Sequence, residues 1–221
     1  MIKIQPIVRN IVLGEIEAYY ALANGFMNMS SYAYRIRPEV EELTKKQVTI
    51  NSLVVSLSRL RAEFKKEKPL IRDVPITNIT TKLPLSEIVY ENTTASLNKL
   101  DSLQKELSAG REDFSTATIG TTEINIIASA SMEKKILKHF SVSPKIINRA
   151  LAAICISFDN NTANIPGTFL SLISIPARAG INVEELVSTY SELIFIVAEK
   201  DFGKTVSLFS DLHKATNELK K

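Results

Sequence analysis

Through the first third of the chain apolar residues recur at helical spacing, and beyond it they gather into short continuous or alternating runs. Residues 7–23 read as one helix, stopped by Asn24-Gly25, where glycine reaches positive φ without steric cost. A second helix starts near Ser30. Its Pro38 suits the first turn of a fresh helix, with Glu39, Glu41 and Glu42 toward the positive end and Lys45 and Lys46 toward the negative end, so a kink or division is expected there. Thr49 is a good N-cap for a third helix, in which Ile50, Leu53, Val54, Leu57, Leu60 and Phe64 share one stripe and form a core face. Asn51, Ser52, Val55, Arg59 and Lys66 collect on the opposite face, flanked by Arg61 and Lys65.

The remainder repeats itself. Residues 121–140 lie without gaps over residues 190–209, bringing Glu123 onto Glu192, Ile126 onto Phe195, Lys135 onto Lys204 and Phe140 onto Phe209. Upstream, IVYEN at 88–92 resembles ISFDN at 156–160, and each leads into a helical stretch closing in Ala-Gly, at 109–110 and 179–180. Each copy reads strand, helix, strand, strand, helix. A strand near residues 145–148 completes the first copy, whereas the second is expected to lack its last strand, because the chain runs out in the charged helical stretch SDLHKATNELKK. Such a unit has the ferredoxin-like βαββαβ plan.

The second copy carries Pro166-Gly167 before its helix, Gly180-Ile181-Asn182 after it and Ser191-Glu192 between strands. With those residues, the stretch from about 84 to 215 resembles a pair of ACT domains like the regulatory tandem at the C-terminus of aspartate kinases. The resemblance implies an effector site between two such domains, bordered by the loop before the helix and the start of the second strand. Asn164, Ile165, Pro166, Gly167, Thr168, Asn182 and Val183 are the ligand-binding candidates. Backbone amides at a helix start suit a carboxylate, and an Asn side chain offers both donor and acceptor, so an amino acid is the expected effector. Two features depart from the family. Pro176 sits inside the helix and should kink its second half, and the first copy has no Pro-Gly at all.

Charge changes the reading of the first third. Residues 1–82 hold 13 Lys/Arg against 8 Asp/Glu, the rest 14 against 16, within an overall net charge of +3. A basic module beside a near-neutral one points to an anionic partner. Over residues 7–80 the helix order resembles a winged-helix domain, with residues 68–84 as a wing or a linker. That resemblance implies double-stranded DNA as a partner, read by Asn51, Ser52, Val55, Arg59, Arg61, Lys65 and Lys66. A three-helix interaction or dimerisation module is the alternative.

Several chemistries lack their residues. The single cysteine, Cys155, lies in an apolar run and reads as a small buried hydrophobe. His139 and His213 stand late in their helices, outside any metal-ligand spacing, and no phosphate loop, nucleophile elbow or Cys-His pair is present. Neither catalysis, metal nor cofactor is expected. The start MIKIQPIVRN has no long apolar core, and the most apolar stretch, 150–158, is far short of the roughly 20 residues that cross a bilayer, so a cytoplasmic protein without a membrane partner is expected.

The expected architecture is α+β: a helix-turn-helix or winged-helix-like domain over 1–80, then ferredoxin-like ACT units over 84–149 and 150–221. Its expected function is ligand-responsive regulation by a homodimer, as an amino-acid-sensing transcriptional regulator or, alternatively, as a non-catalytic regulatory subunit or dimerisation module that contacts a metabolic enzyme.

Overall fold

The computed structural model describes residues 3–66, 71, 73–107 and 114–218, with the side chains of all but 105–107 and 215–218. The chain divides into two compact units, Met1–Ile71 and Arg72–Lys221.

The first unit holds helices α1 (Ile4–Gly14), α2 (Ile16–Ala23), α3 (Met29–Thr44) and α4 (Ile50–Phe64). The single helix expected over 7–23 is broken at Glu15, whose backbone is extended at φ −120° and ψ 104°. Its carboxylate is drawn sideways onto α3 by the Arg35 guanidinium and by the Tyr32 hydroxyl at 3.1 Å, which anchors the break. In contrast, α3 runs through Pro38 undivided, because its buried line Ala33, Ile36, Val40 and Thr44 continues past the proline and only one backbone bond is forfeited. Thr49 caps α4 as expected, accepting from the Ser52 amide at 3.2 Å. Leu53, Leu57, Leu60 and Phe64 are buried at 0–2% exposure and pack against Val8, Val12, Tyr19 and Leu22 from α1 and α2. Ala33, Ile36 and Val40 of α3 belong to the same core.

The second unit is one six-stranded antiparallel sheet ordered β2-β3-β1-β4-β6-β5. Its strands are β1 (Ile76–Glu91), β2 (Ser115–Ile119), β3 (Glu123–Ser129), β4 (Ile146–Phe158), β5 (Glu185–Ser188) and β6 (Glu192–Ala198). The helices are α5 (Thr94–Leu107), α6 (Glu133–Phe140), α7 (Asn160–Ala163), α8 (Thr168–Arg178) and α9 (Glu199–Glu218). The repeat keeps its landmarks: β3 and β6 start at the aligned Glu123 and Glu192, and the aligned Phe140 and Phe209 are 1% and 0% exposed. The Ala109-Gly110 stop lies outside the described residues.

Two expectations fail for one reason. Residues 76–82 form no wing; they are the first half of β1 and pair with β4 from Ile76↔Phe158 to Lys82↔Ala153. The second copy therefore does have its fourth strand, supplied from upstream. Past a register shift between Lys82 and Leu85, the second half of β1 pairs with β3 and with the start of β4, completing the first copy. Each long strand is thus central in one ferredoxin-like half and an edge in the other, and residue 150, expected to open the second copy, sits inside β4 with φ 55°. Burial tracks the exchange. In β1 the edge half is mostly exposed and the central half is buried on both faces, with β4 showing the same switch.

The sheet curls strongly. Asn125 Nδ2 on β3 donates to Glu185 Oε2 on β5 at 3.0 Å, although three strands separate them in the sheet order and a flat sheet would hold them about 19 Å apart. The same amide donates to Glu87 at 2.7 Å, and Leu85, Ile127, Leu151, Ala153, Cys155, Ile194 and Ile196 fill the concave face. Burial pushes the Cys155 thiol up, as fits a buried hydrophobe. On the helix-bearing faces, Tyr90, Ile124, Ile126 and Phe140 centre one core and Ile154, Phe158, Phe195 and Phe209 the other.

Because β1 closes the second copy, a chain starting at residue 73 should keep cooperative thermal unfolding, whereas one starting at Pro84 should lose it while part of the first copy's helicity persists. Equal melting curves for the two would show that the edge pairing contributes nothing.

Near the strand exchange, Arg149 donates to Glu133 at 2.7 Å and Ser86 donates to it at 2.7 Å, and these bonds hold the Glu133 carboxyl below the usual carboxylate range, Arg149 contributing most. A depressed carboxylate stabilises the fold above its unfolded pKa and loses that contribution as pH falls through the folded value. Arg149→Ala should therefore melt earlier than wild type at neutral pH, and the gap should close in acid below the usual carboxylate range. A gap independent of pH would assign Arg149 a packing role.

Candidate functional site

The loop between β4 and α8 is built from inside. Asp159 accepts from the Thr162 amide at 2.8 Å and its hydroxyl at 3.0 Å, starting the single turn α7. Thr168, 2% exposed, sets its hydroxyl 2.9 Å from the carbonyls of both Thr162 and Ile165. Thr168 thus fixes the loop's shape and has no exposed surface for a ligand. Gly167 adopts φ 89°, which a side chain would strain, and as N-cap it brings no side chain to the first turn of α8. Its carbonyl accepts the Ser171 hydroxyl at 2.9 Å.

The first copy differs here. Its α5 comes almost directly after β1, and Thr93 caps it by accepting from the Ser96 amide at 3.1 Å. Asn92 ties that junction to the strand turn through Gly120 O at 2.7 Å. In the second copy the tie runs through Asn164, whose Nδ2 donates to the Tyr190 hydroxyl at 3.0 Å. Tyr190 is 62% exposed and Phe169 41%, the latter edge-on to Phe158 with centroids 6.4 Å apart. Neither aromatic is among the sequence candidates. The repeat carries a signal for one of them, since Tyr190 lies over Thr121, an exposed aromatic in place of a small polar residue.

The remaining candidates do not form one cluster. Asn164 and Pro166 are exposed, Ile165 and Gly167 half-buried. Val183 is half-buried against the second copy's core. Asn182 is exposed and donates to Glu184 Oε1 at 2.9 Å. It lies past the far end of α8, whose 11 residues put about 16 Å between it and Gly167, so within one chain Asn182 and residues 164–168 do not meet. Pro176 lies in the last turn of α8, buried, with its carbonyl accepting from Ala179 and Ile181 at 3.0 Å; the helix ends before a kinked second half could form. His139 and His213 bond the backbone carbonyls of Lys99 at 3.0 Å and Ile76 at 2.8 Å. Among the described residues no group of three or more His, Cys, Asp and Glu is placed to hold a metal, and no helix is long and apolar enough to cross a membrane.

On α4, Asn51, Val55, Arg59, Arg61, Lys65 and Lys66 are exposed, and Ser52 is half-buried with its hydroxyl donating to Thr49 O at 2.8 Å. The face also carries Glu63, which accepts from Arg9 at 2.9 Å and Gln5 at 3.1 Å.

The fold is similar to that of aspartate kinase regulatory regions. Clostridium acetobutylicum aspartate kinase, described as an important allosteric enzyme, superposes with a TM-score of 0.53 and 16% identity over 67% of this chain and 37% of that one. The ligand-free regulatory subunit of aspartate kinase from Thermus thermophilus gives 0.50 and 12% identity over 64% of this chain and 98% of that one. This chain spans little more than a third of the Clostridium enzyme, and at these identities the likeness is one of fold. No protein-family model and no curated protein sequence matches.

Proposed function

We propose that the chain is a non-catalytic regulatory subunit in which a small carboxylate-bearing molecule, an amino acid, binds at the β4–α8 loop and alters contact with a metabolic enzyme. The observation that carries this reading is the start of α8: a left-handed Gly167 presents the first turn without a capping side chain, on a loop pinned by a buried Thr168. The positive end of a helix dipole held on a rigid loop favours a carboxylate.

A homodimer supplies the other half of the site. β5 is an edge strand; Asn182 precedes its start and Tyr190 lies past its end. An antiparallel pair of β5 strands about a twofold axis sets the start of one beside the end of the other. Asn182 of a second copy then reaches Asn164 and residues 165–167, a meeting impossible within one chain.

Thermal melts of the full chain with each standard amino acid test this. A ligand at about 100 times its Kd should add roughly 2.7 kcal/mol, raising Tm by several degrees, and Asn182→Ala should abolish the rise while leaving the ligand-free Tm unchanged. If no amino acid shifts the wild type, or the variant responds equally, the unit is a dimerisation platform.

The exposed cations of α4 support a second reading, a transcriptional regulator binding double-stranded DNA. Binding should then weaken steeply with salt, and replacing both Arg59 and Arg61 by Ala should reduce the slope of log K against log salt by about 1 per lost phosphate contact. Equal retention of wild type and double variant on DNA at low salt leaves that face merely solvated.

A further inference from the structure

The first unit carries an open groove of about 550 Å³ between α1 and α3. Ile7, Ile11 and Gly14 line it from α1 at helical spacing with the polar Asn10 beside them, and Glu39 and Leu43, one turn apart, line it from α3. Ile11 is a floor residue, 8% exposed, whereas Leu43 stands 50% exposed, so an apolar side chain has been left in water beside an apolar floor.

Two further observations indicate what fits there. Gly14 is helical, so its φ does not require glycine, and a Cβ built on it meets nothing within 4 Å. Packing inside the unit therefore gives no reason for glycine at this last residue of α1, and its missing side chain leaves room for a close backbone approach. The charge is one-sided. Glu15 and Glu39 line the groove, and among the described residues no lysine or arginine does, although Arg35 engages Glu15 beside it. Apolar walls, an acidic rim and a glycine gap match an amphipathic helix with cations flanking its apolar stripe.

We propose that this groove docks a basic amphipathic helix of a partner protein, with its aliphatic side chains on Ile7, Ile11 and Leu43, a lysine or arginine side chain toward Glu39, since Glu15 is already paired with Arg35, and its backbone closest at Gly14. The regulatory reading enters only in saying whose helix it is: the enzyme's. Amino-acid-induced melting shifts report on the second unit and peptide binding on the first, so the two readings fail separately.

The test is a fluorescence-anisotropy titration of the full chain against a labelled amphipathic peptide of leucine and lysine at helical spacing, beside the same peptide with glutamate for lysine. The lysine peptide should bind saturably and at least about tenfold more tightly. Gly14→Trp, whose Cβ meets nothing within 4 Å, should keep the wild-type Tm and weaken binding about tenfold or more, as should Leu43→Asp; Glu39→Lys should shift preference toward the glutamate peptide. Ser58→Ala, an exposed position on α4 outside the groove, should bind as wild type does. The proposal is overturned if both peptides bind alike, if the groove variants bind as wild type does, or if Glu39→Lys changes the sedimentation of the chain alone, which would seat a second copy in the groove.

Discussion

The antiparallel pairing of β1 with β4 is the constraint on which the second unit depends. At 16 and 13 residues both strands are longer than one ferredoxin-like half needs, and each uses its extra length as the edge of the other half. A central strand loses water on both faces and so needs apolar residues throughout; an edge strand keeps one side wet and takes polar ones. The switch from exposed to buried along β1, and its mirror in β4, is that requirement written into sequence. Neither half has four strands without the other, so their stabilities are joined through the backbone ladder.

The exchange also gives a route for coupling. The strand that closes the second copy is the first stretch of β1, and α9 is tied to its start where His213 bonds Ile76 O at 2.8 Å. On the concave face, the amide of Asn125 holds Glu87 of the central pair and Glu185 of the outermost strand at once. A ligand or second copy that repositions β5 would pull directly on that amide, and through Glu87 on β1. Along the chain, β1 is the first strand after the helical unit.

Much of this was legible from residues alone, and the misses share a cause. Repeat alignment laid the starts of β3 and β6 over one another, at Glu123 and Glu192, because both copies preserve the same apolar run behind a glutamate. The α4 cap and stripe were equally plain, since local hydrogen bonding and helical periodicity decide them. Residues 76–82 misled because ITNITTK has the polar, β-branched look of any exposed strand, and only its long-range partner decides whether it is a wing or an edge. The break at Glu15 was invisible for the same reason: it is held by Arg35, 20 positions away. At the candidate site the conformationally special Gly167 stood out, but Asn182 is near it only in sequence, and the intervening helix carries it to the opposite end of β5.

Why the second copy and not the first presents an open helix start depends on how each satisfies its backbone. In the first, Thr93 caps α5 locally through the Ser96 amide, and Asn92 reaches across to the strand turn at Gly120, 28 positions away. The second copy inserts α7 and the turn after it, and uses Asp159, Thr162 and Thr168 to satisfy the insertion internally. The result is a loop whose own polar groups are paired while the helix behind it begins on a glycine. A loop satisfied from inside needs no outside group to hold its shape, so Gly167 keeps its left-handed turn and leaves the first turn of α8 without a capping side chain.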